Sequence, residues 1–426
     1  MPELGPSPLA AGDAQLSIDE ARAAIAAALR PIEGRETLPL AQALGRVLAA
    51  DVVSPIDVPA HDNSAMDGFA FAGADLRKDG ESRFDIVGQV FAGKPFAGAV
   101  GAGQCVRIMT GAVMPADTDT VVPLELCRAD AQQVRVDAGV LRTGDNRRHR
   151  GEDLAAGRPA LRAGQVLRPA DLGLIASLGI ERVTVMRRLR VALFSTGDEL
   201  RSPGQPLDPG CIYDSNRFSL AAALQRLGVE LIDLGLVRDD PAALQATLKA
   251  AVAQADVVLT SGGVSAGDAD FTRDLLTTMG EVAFWKVAMR PGRPFAFGPL
   301  QVDVDGQTRR SWLFALPGNP VAALVTFYAL AREALLALAG ASPAPLPVLQ
   351  AWSAAAIRKR PGRTEFQRGI LAPGADGRWE VRIAGAQGAG ILRSMSEANA
   401  LVVLGHDQGS VAAGDPVDVW LFDGLV

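Results

Sequence analysis

VALFSTGDE (residues 191–199) decides the fold: an unbroken apolar run delivers the chain into a loop of small and acidic residues. The pattern recurs in DVVLTSGGVSAGDAD (256–270) and, with Glu230 and Asp233 interrupting the apolar run, in VELIDLGLVRDD (229–240). Runs that are apolar at every position, rather than at alternate ones, are strands covered on both faces. Helical segments lie between them. Asn216, read as an N-cap, precedes Leu220, Leu224 and Leu227, and Asp240-Pro241 sets a cap and a first-turn proline before Leu244, Leu248 and Val252. The strand-like runs VAFWKVA, FAFG and WLFAL follow, then a helix over about 320–338. Alternation of this kind predicts a doubly wound, mostly parallel α/β domain over 189–340.

On either side the texture changes. FDIVGQVF, CVRIMT, TVVPLEL and QVRVD are short β-type runs punctuated by Gly, Pro and Asp, so 65–157 reads as a small β-rich domain. Residues 18–64, together with 158–188, form an extended N-terminal region. Its first helix opens at the capping box Ser17-Ile18-Asp19-Glu20 and carries Ile18, Ala21, Ile25 and Leu29 on one face. Residues 1–17 read as a flexible tail and ASPAPLP (341–347) as a linker, while 348–426 returns to β-type runs, a second barrel or sandwich. The fold class is multidomain α/β plus β.

Composition narrows the function. Asp and Glu number 48 against 42 Lys and Arg, a net charge of −6, and aromatic residues are 5% of the 426. That balance excludes a broad nucleic-acid footprint and base-stacking platforms. Cys105, Cys127 and Cys211 contain no CxxC pair, and His61, His149 and His406 are too scattered for a sequence-local metal site. The N-terminus lacks a basic n-region and an apolar h-region, and the longest apolar run, Val321 to Ala331, falls short of a bilayer span. A cytoplasmic protein with no membrane partner is the expectation.

The chemistry concentrates in loops at strand ends, where open α/β sheets bind ligands. Thr196-Gly197-Asp198-Glu199, Asp239-Asp240 and the 261–270 loop with Ser265, Asp268 and Asp270 bring small residues and carboxylates to one edge. Exposed backbone N–H groups there suit a phosphate, and carboxylates suit Mg²⁺. Asp240 and Asp270 are equally readable as plain helix caps. Lys286 and the rigid turn Arg290-Pro291-Gly292-Arg293 supply cations for a tetrahedral oxyanion, and Pro317-Gly318-Asn319-Pro320 leads into a helix N-terminus. Neither a P-loop nor a strand-linked GxGxxG is present. Gly263-Val264-Ser265-Ala266-Gly267 fits the GxSxG elbow of serine hydrolases, but the one histidine after it, His406, falls in a different domain.

Eight motifs in order resemble one family. Ser64-Ala65-Met66-Asp67-Gly68-Phe69-Ala70, Arg107-Ile108-Met109-Thr110-Gly111-Ala112 and Arg148-His149-Arg150-Gly151-Glu152-Asp153 are followed by Ser195-Thr196-Gly197-Asp198-Glu199-Leu200 and Tyr213-Asp214-Ser215-Asn216. Ser261-Gly262-Gly263-Val264-Ser265, Pro291-Gly292-Arg293-Pro294-Phe295 and Leu316-Pro317-Gly318-Asn319-Pro320 complete the set. Together they resemble the MoeA-type molybdopterin molybdenumtransferases and the similar E domains of gephyrin and plant molybdenum-cofactor proteins. The resemblance implies insertion of molybdate into adenylated molybdopterin with release of AMP and a requirement for Mg²⁺. It implies an elongated homodimer, with 18–64 and 158–188 as the dimerisation domain and a cleft shared between chains, and an adenylyltransferase partner. It carries over Asp67, Glu199 and Asp153 as catalytic carboxylates. Thr196, Gly197, Asp214, Ser215, Asn216, Ser261, Gly262, Gly263 and Ser265 are assigned to the pterin and its phosphate, with the Pro317–Pro320 loop. Lys286, Arg290 and Arg293 are assigned to molybdate, and Asp239, Asp240, Asp268 and Asp270 to the metal. Phe69 stands where many relatives have Tyr, and Arg290 and Arg293 where lysines are common. A gephyrin-like scaffold is the alternative from a different class, although neither a fused adenylyltransferase domain nor a long linker is present in these residues.

Overall fold

The computed structural model describes residues 15–263, 270–344 and 346–422. The α/β domain contains β1 (Gln15–Leu16), α1 (Ile18–Ala28), β2 (Arg190–Thr196), α2 (Asn216–Arg226), β3 (Glu230–Val237), α3 (Pro241–Gln254), β4 (Val257–Ser261) and α4 (Asp270–Met279). It continues with β5 (Ala283–Val287), β6 (Pro294–Val304), β7 (Gln307–Leu316) and the long helix α5 (Pro320–Leu338), whose middle turn, Phe327–Ala331, is π-helical. Seven strands lie in the order β1-β5-β6-β7-β4-β2-β3. The β3–β2–β4–β7 half is parallel, and β5–β6–β7 run antiparallel to one another.

Both faces are covered, which is why β2 and β4 are apolar at nearly every position. Leu220 and Leu224 of α2 and Val321, Val325 and Phe327 of α5 pack on one face with Val191 and Leu193. Leu244, Leu248 and Val252 of α3 and Leu276 of α4 cover the other with Ala192, Phe194 and Val258. α5 has the length and apolar composition of a membrane span, but its residues are committed to this core.

Two boundaries differ from expectation. Gln15 and Leu16, expected in the tail, pair in parallel with Lys286 and Val287 and so edge the sheet. α1, expected with the N-terminal domain, packs on the α/β domain because Ile18, Ala21, Ile25 and Leu29 bury against Leu335 and its neighbours. Its capping box forms as read: the Ser17 hydroxyl accepts from the Glu20 N–H at 3.2 Å, and the Glu20 carboxylate accepts from the Ser17 N–H at 2.8 Å. Arg22 then ties the helix down, its Nε donating to the Ala329 carbonyl of the π turn at 2.8 Å and its guanidinium lying 5.6 Å from the Trp420 ring.

The remaining N-terminal residues group as two bodies. Strand Arg35–Pro39 pairs with Arg182–Met186 and Val52–Val53 with Pro159–Leu161, burying Leu38, Leu48, Leu167, Ile175 and Val185 in one cluster drawn from both ends of the region. Between them a six-stranded sheet built on Gly68–Phe71, Glu81–Val90 and Gln104–Ile108 holds the stacked pair Phe71 and Phe84, centroids 4.1 Å apart. The C-terminal strands Leu349–Ser353, Thr364–Pro373, Trp379–Ile383, Ala400–Leu404 and Pro416–Leu421 close on themselves, since Thr364–Pro373 pairs with Ala400–Leu404 as well as with Trp379–Ile383. That closure makes the domain a barrel. Met289–Arg290 adds to it in parallel with Thr364 and Glu365, fastening the barrel to the loop after β5.

Candidate functional site

The carboxyl ends of β2, β4 and β7 open into one cleft of about 1090 Å³. Thr196, Gly197 and Glu199 come from the first strand, Ser261, Gly262 and Gly263 from the second, and Pro317 to Pro320 from the third. Asp214, Ser215 and Asn216 form the wall at the start of α2; Asp239 follows β3; Arg290 and Arg293 stand opposite. The barrel supplies Arg363 and Gln387–Gly390.

Hydrogen bonds lock the three loops together. Asn216 Nδ2 donates to Ser261 Oγ and to the Gly318 carbonyl, both at 2.7 Å, and Ser261 Oγ donates to the Pro317 carbonyl at 3.3 Å. Asn216 is therefore not the N-cap that its position suggests: Ser215 occupies the cap position and makes no side-chain cap bond. The Asp214 carboxylate does that work instead, accepting from the Arg217 N–H at 3.1 Å. Asp214 is 1% exposed, and its charge is met by Ser195 Oγ at 3.1 Å and Arg217 Nε at 3.3 Å. Gly262 has φ +96°, and a Cβ there would lie 2.6 Å from the Thr196 carbonyl oxygen, so only glycine lets the β4 loop rest on the β2 loop.

The charges are divided by wall. Among the described residues, Glu199 and Asp239 are the acidic residues lining the cleft other than buried Asp214. Asp239 N–H donates to Asp198 Oδ1 at 3.3 Å, whereas the Asp240 carboxylate caps α3 by accepting from the Ala243 N–H at 2.8 Å. Among the described residues no three metal-ligating side chains converge. Ser265 and Asp268 lie outside the described residues, and Asp270 begins α4. Across the cleft Arg363 pairs with buried Glu365 at 2.9 Å, while among the described residues no carboxylate pairs with Arg290 or Arg293.

Three residues assigned from sequence stand elsewhere. Asp67 is exposed in the β-rich domain, where one carboxylate oxygen accepts from the Thr110 N–H at 2.6 Å and from its hydroxyl at 2.8 Å. Those two donors, the amide foremost, hold its carboxyl below the ordinary aspartate range. Asp153 is exposed, and its N–H donates to the Val58 carbonyl at 3.1 Å. Lys286 is exposed on β5, between Gln15 and Pro294, and does not line the cleft. The basic run ahead of Asp153 is spent locally: Arg147 pairs with Asp62, Arg148 with Glu152 and Arg150 with Asp57.

The barrel's share of the wall escaped sequence reasoning. Arg368, 1% exposed, donates to Ser394 Oγ at 2.9 Å and to the carbonyls of Ala386 and Gly388 at 3.2 and 3.0 Å. It thereby shapes the Gln387–Gly390 loop. Burial first, and the charge of Arg290 second, bring its pKa down to about 10. The glycine-rich string GAQGAG (385–390) was the available signal.

Residues 16–179 match the MoeA N-terminal region (domain I and II), 192–337 a probable molybdopterin binding domain, and 350–422 the MoeA C-terminal region (domain IV). The chain is 40% identical to a molybdopterin molybdenumtransferase of Haemophilus influenzae over 96% of its own length and all of the relative's. It is 36% identical to molybdopterin molybdenumtransferase 2 of Mycobacterium tuberculosis, covering 92% and 95%. A crystal structure of the molybdopterin biosynthesis MoeA protein from Pyrococcus horikoshii superposes with a TM-score of 0.81 at 27% identity, over 96% of this chain and all of that one. Full-length similarity to these transferases outweighs the serine-hydrolase alternative, whose Ser265 lies outside the described residues. The chain belongs to the molybdopterin molybdenumtransferase (MoeA) family, transferases of molybdenum cofactor biosynthesis.

Proposed function

We propose that the cleft binds adenylated molybdopterin together with molybdate, inserts the metal into the dithiolene and releases AMP. One observation carries this reading: three glycine-bearing loops and two arginines free of carboxylate partners among the described residues meet in a single cleft. Backbone N–H groups of such loops and the N-terminus of α5 suit phosphate oxygens. Arg290 and Arg293 hold the tetrahedral oxyanion, each offering a planar fork. Ser261 and Asn216 keep the phosphate-facing loops in register, and Ser215 lines the cleft beside them. Glu199 orients or exchanges a proton with the reacting groups, and Ser265 assists the pterin; Lys286, outside the cleft, acts on the oxyanion through its charge alone.

Among the described residues the cleft is lined by the carboxylates Glu199, Asp239 and buried Asp214 and by no His or Cys, an oxygen donor set that fits Mg²⁺. Asp239 would hold it with substrate phosphate oxygens, Asp268 and Asp270 adding to the set. When bound, the ion lowers the charge at the phosphoanhydride that is cleaved. The chain acts as a cytoplasmic homodimer in this reading: Asp67 and Asp153, remote from their own chain's cleft, serve that of a second copy, and a molybdopterin adenylyltransferase supplies the substrate. The test is incubation with adenylated molybdopterin, Mg²⁺ and molybdate. AMP release must depend on molybdate; release that ignores molybdate, or none, overturns the proposal.

A further inference from the structure

The turn that carries Arg290 and Arg293 is anchored at its two ends and propped in the middle. At one end Met289 and Arg290 pair with Thr364 and Glu365; at the other the Arg293 carbonyl accepts from the Val287 N–H at 2.8 Å. Pro291 and Gly292, the apex, are buried against α5. Gly292 has φ +103°, and a methyl group there would run into the Thr326 hydroxyl and lie 3.4 Å from the Ala322 carbonyl oxygen. Ala322 is four residues before Thr326, and its carbonyl is the usual acceptor for a helical threonine hydroxyl. Thr326 Oγ1 does not use it. The side chain is 0% exposed, and among the described residues the hydroxyl has no hydrogen-bond partner. A buried hydroxyl without a partner is costly in a resting protein. At this same residue α5 leaves the α geometry for its π turn, Phe327–Ala331, a distortion that recurs at functional sites.

We infer that Thr326 is a positioning residue for oxyanion binding: its hydroxyl is the seat of the Pro291-Gly292 apex and sets where Arg290 and Arg293 stand. The hydroxyl gains a partner from the apex backbone when the arginines close on their ligand. The same device occurs once more in the cleft, where buried Thr196 Oγ1, without a partner among the described residues, lies under Gly262. The inference rests on the proposal that the two arginines hold the oxyanion, and the experiment separates the two.

Thr326→Val keeps the shape and deletes the hydroxyl; Thr326→Ser keeps the hydroxyl. In molybdate-dependent AMP release, Thr326→Val should raise the KM for molybdate about two- to tenfold, the span of one neutral hydrogen bond, and leave the KM for adenylated molybdopterin unchanged. Thr326→Ser should restore the molybdate KM. The melting temperature of ligand-free Thr326→Val should not fall, because an unpartnered hydroxyl has been removed. Gly292→Ala, which drives a methyl group into the same hydroxyl, should show the same split between the two ligands. Where Arg290→Ala shifts the molybdate requirement, an unchanged molybdate KM in Thr326→Val, equal shifts for both ligands, or no rescue by serine overturns the inference. Arg290→Ala, run alongside, reports on the underlying assignment. If it shifts the requirement for the pterin instead, the oxyanion assignment fails, and Thr326→Val must then shift that same ligand for the positioning role to stand.

Discussion

Asn216→Ala is expected to unfasten the cleft without touching its charges. The wild-type amide makes two hydrogen bonds of 2.7 Å, and the residue is 9% exposed. Each such bond contributes about 1 kcal/mol net, and the Gly318 carbonyl is left without its donor, so the loss is about 2–3 kcal/mol. For a domain of this size 1 kcal/mol moves the midpoint by about 2–4 °C, which predicts a fall of roughly 4–12 °C in the transition of the α/β domain. Differential scanning calorimetry measures it. Asn216→Asp sharpens the test, because a carboxylate against the Gly318 carbonyl has its folded pKa raised. Protonated, it can still donate to that carbonyl, so its penalty should be small in acid and grow as pH rises through the raised pKa. The alanine variant should show no such pH dependence. A midpoint shift below about 2 °C for Asn216→Ala would mean that the loops are held by something else.

Replacing Arg290 or Arg293 by Ala should raise the molybdate requirement about ten- to a hundredfold, the scale of a lost charge-assisted contact, with pterin affinity nearly intact in steady-state kinetics. Asp67 has a folded pKa below its unfolded one, so its contribution is present above the ordinary carboxylate range and lost as pH falls through the lowered value; Asp67→Asn should abolish that segment of the acid-unfolding curve while leaving the particle mass, which the proposed dimer sets at twice the chain mass by light scattering, unchanged. Cys105 is buried with its pKa pushed up to about 12 by desolvation, so native alkylation at neutral pH should spare it until the β-rich domain unfolds, as peptide mapping would reveal. Mixing inactive Asp67→Asn with inactive Glu199→Gln chains should return activity toward about a quarter of wild type if the cleft is shared, since half of randomly assorted dimers carry one intact site in two; no recovery after verified subunit exchange would confine both carboxylates to one chain.

What was legible followed from local physics. β2 and β4 announce themselves because a strand covered on both faces must be apolar throughout, and the glycines after them because the loops approach at backbone distance. The failures are just as physical. The asparagine that opens α2 reads as a cap, and only the fold shows that its amide is needed by Ser261 and Gly318, far along the chain. α1 carries the same apolar face whichever domain receives it, so its docking onto Leu335 was invisible. Barrel and sandwich share one strand pattern, and the pairing of Thr364–Pro373 with Ala400–Leu404 decides between them.

Charge explains why the site could be found at all. A protein with net charge −6 that takes anions must concentrate positive potential where it is needed, and several arginines here, the basic run among them, are neutralised on the spot. Arg147, Arg148 and Arg150 are paired with acids of their own neighbourhood, Arg217 with Asp214 and Asp233, and Arg363 with Glu365. A basic run in the sequence is therefore a poor guide. Arg290 and Arg293 differ because the backbone around them is spoken for by the barrel strand, β5 and α5, which leaves two guanidinium groups exposed beside a cleft and, among the described residues, without a carboxylate. Buried Arg368, held by carbonyls and a hydroxyl rather than by an acid, adds a third uncompensated charge behind Arg290. Removing it by Arg368→Met should therefore weaken oxyanion binding more steeply at low ionic strength than at high, whereas a loss from loop disorder alone would be indifferent to salt.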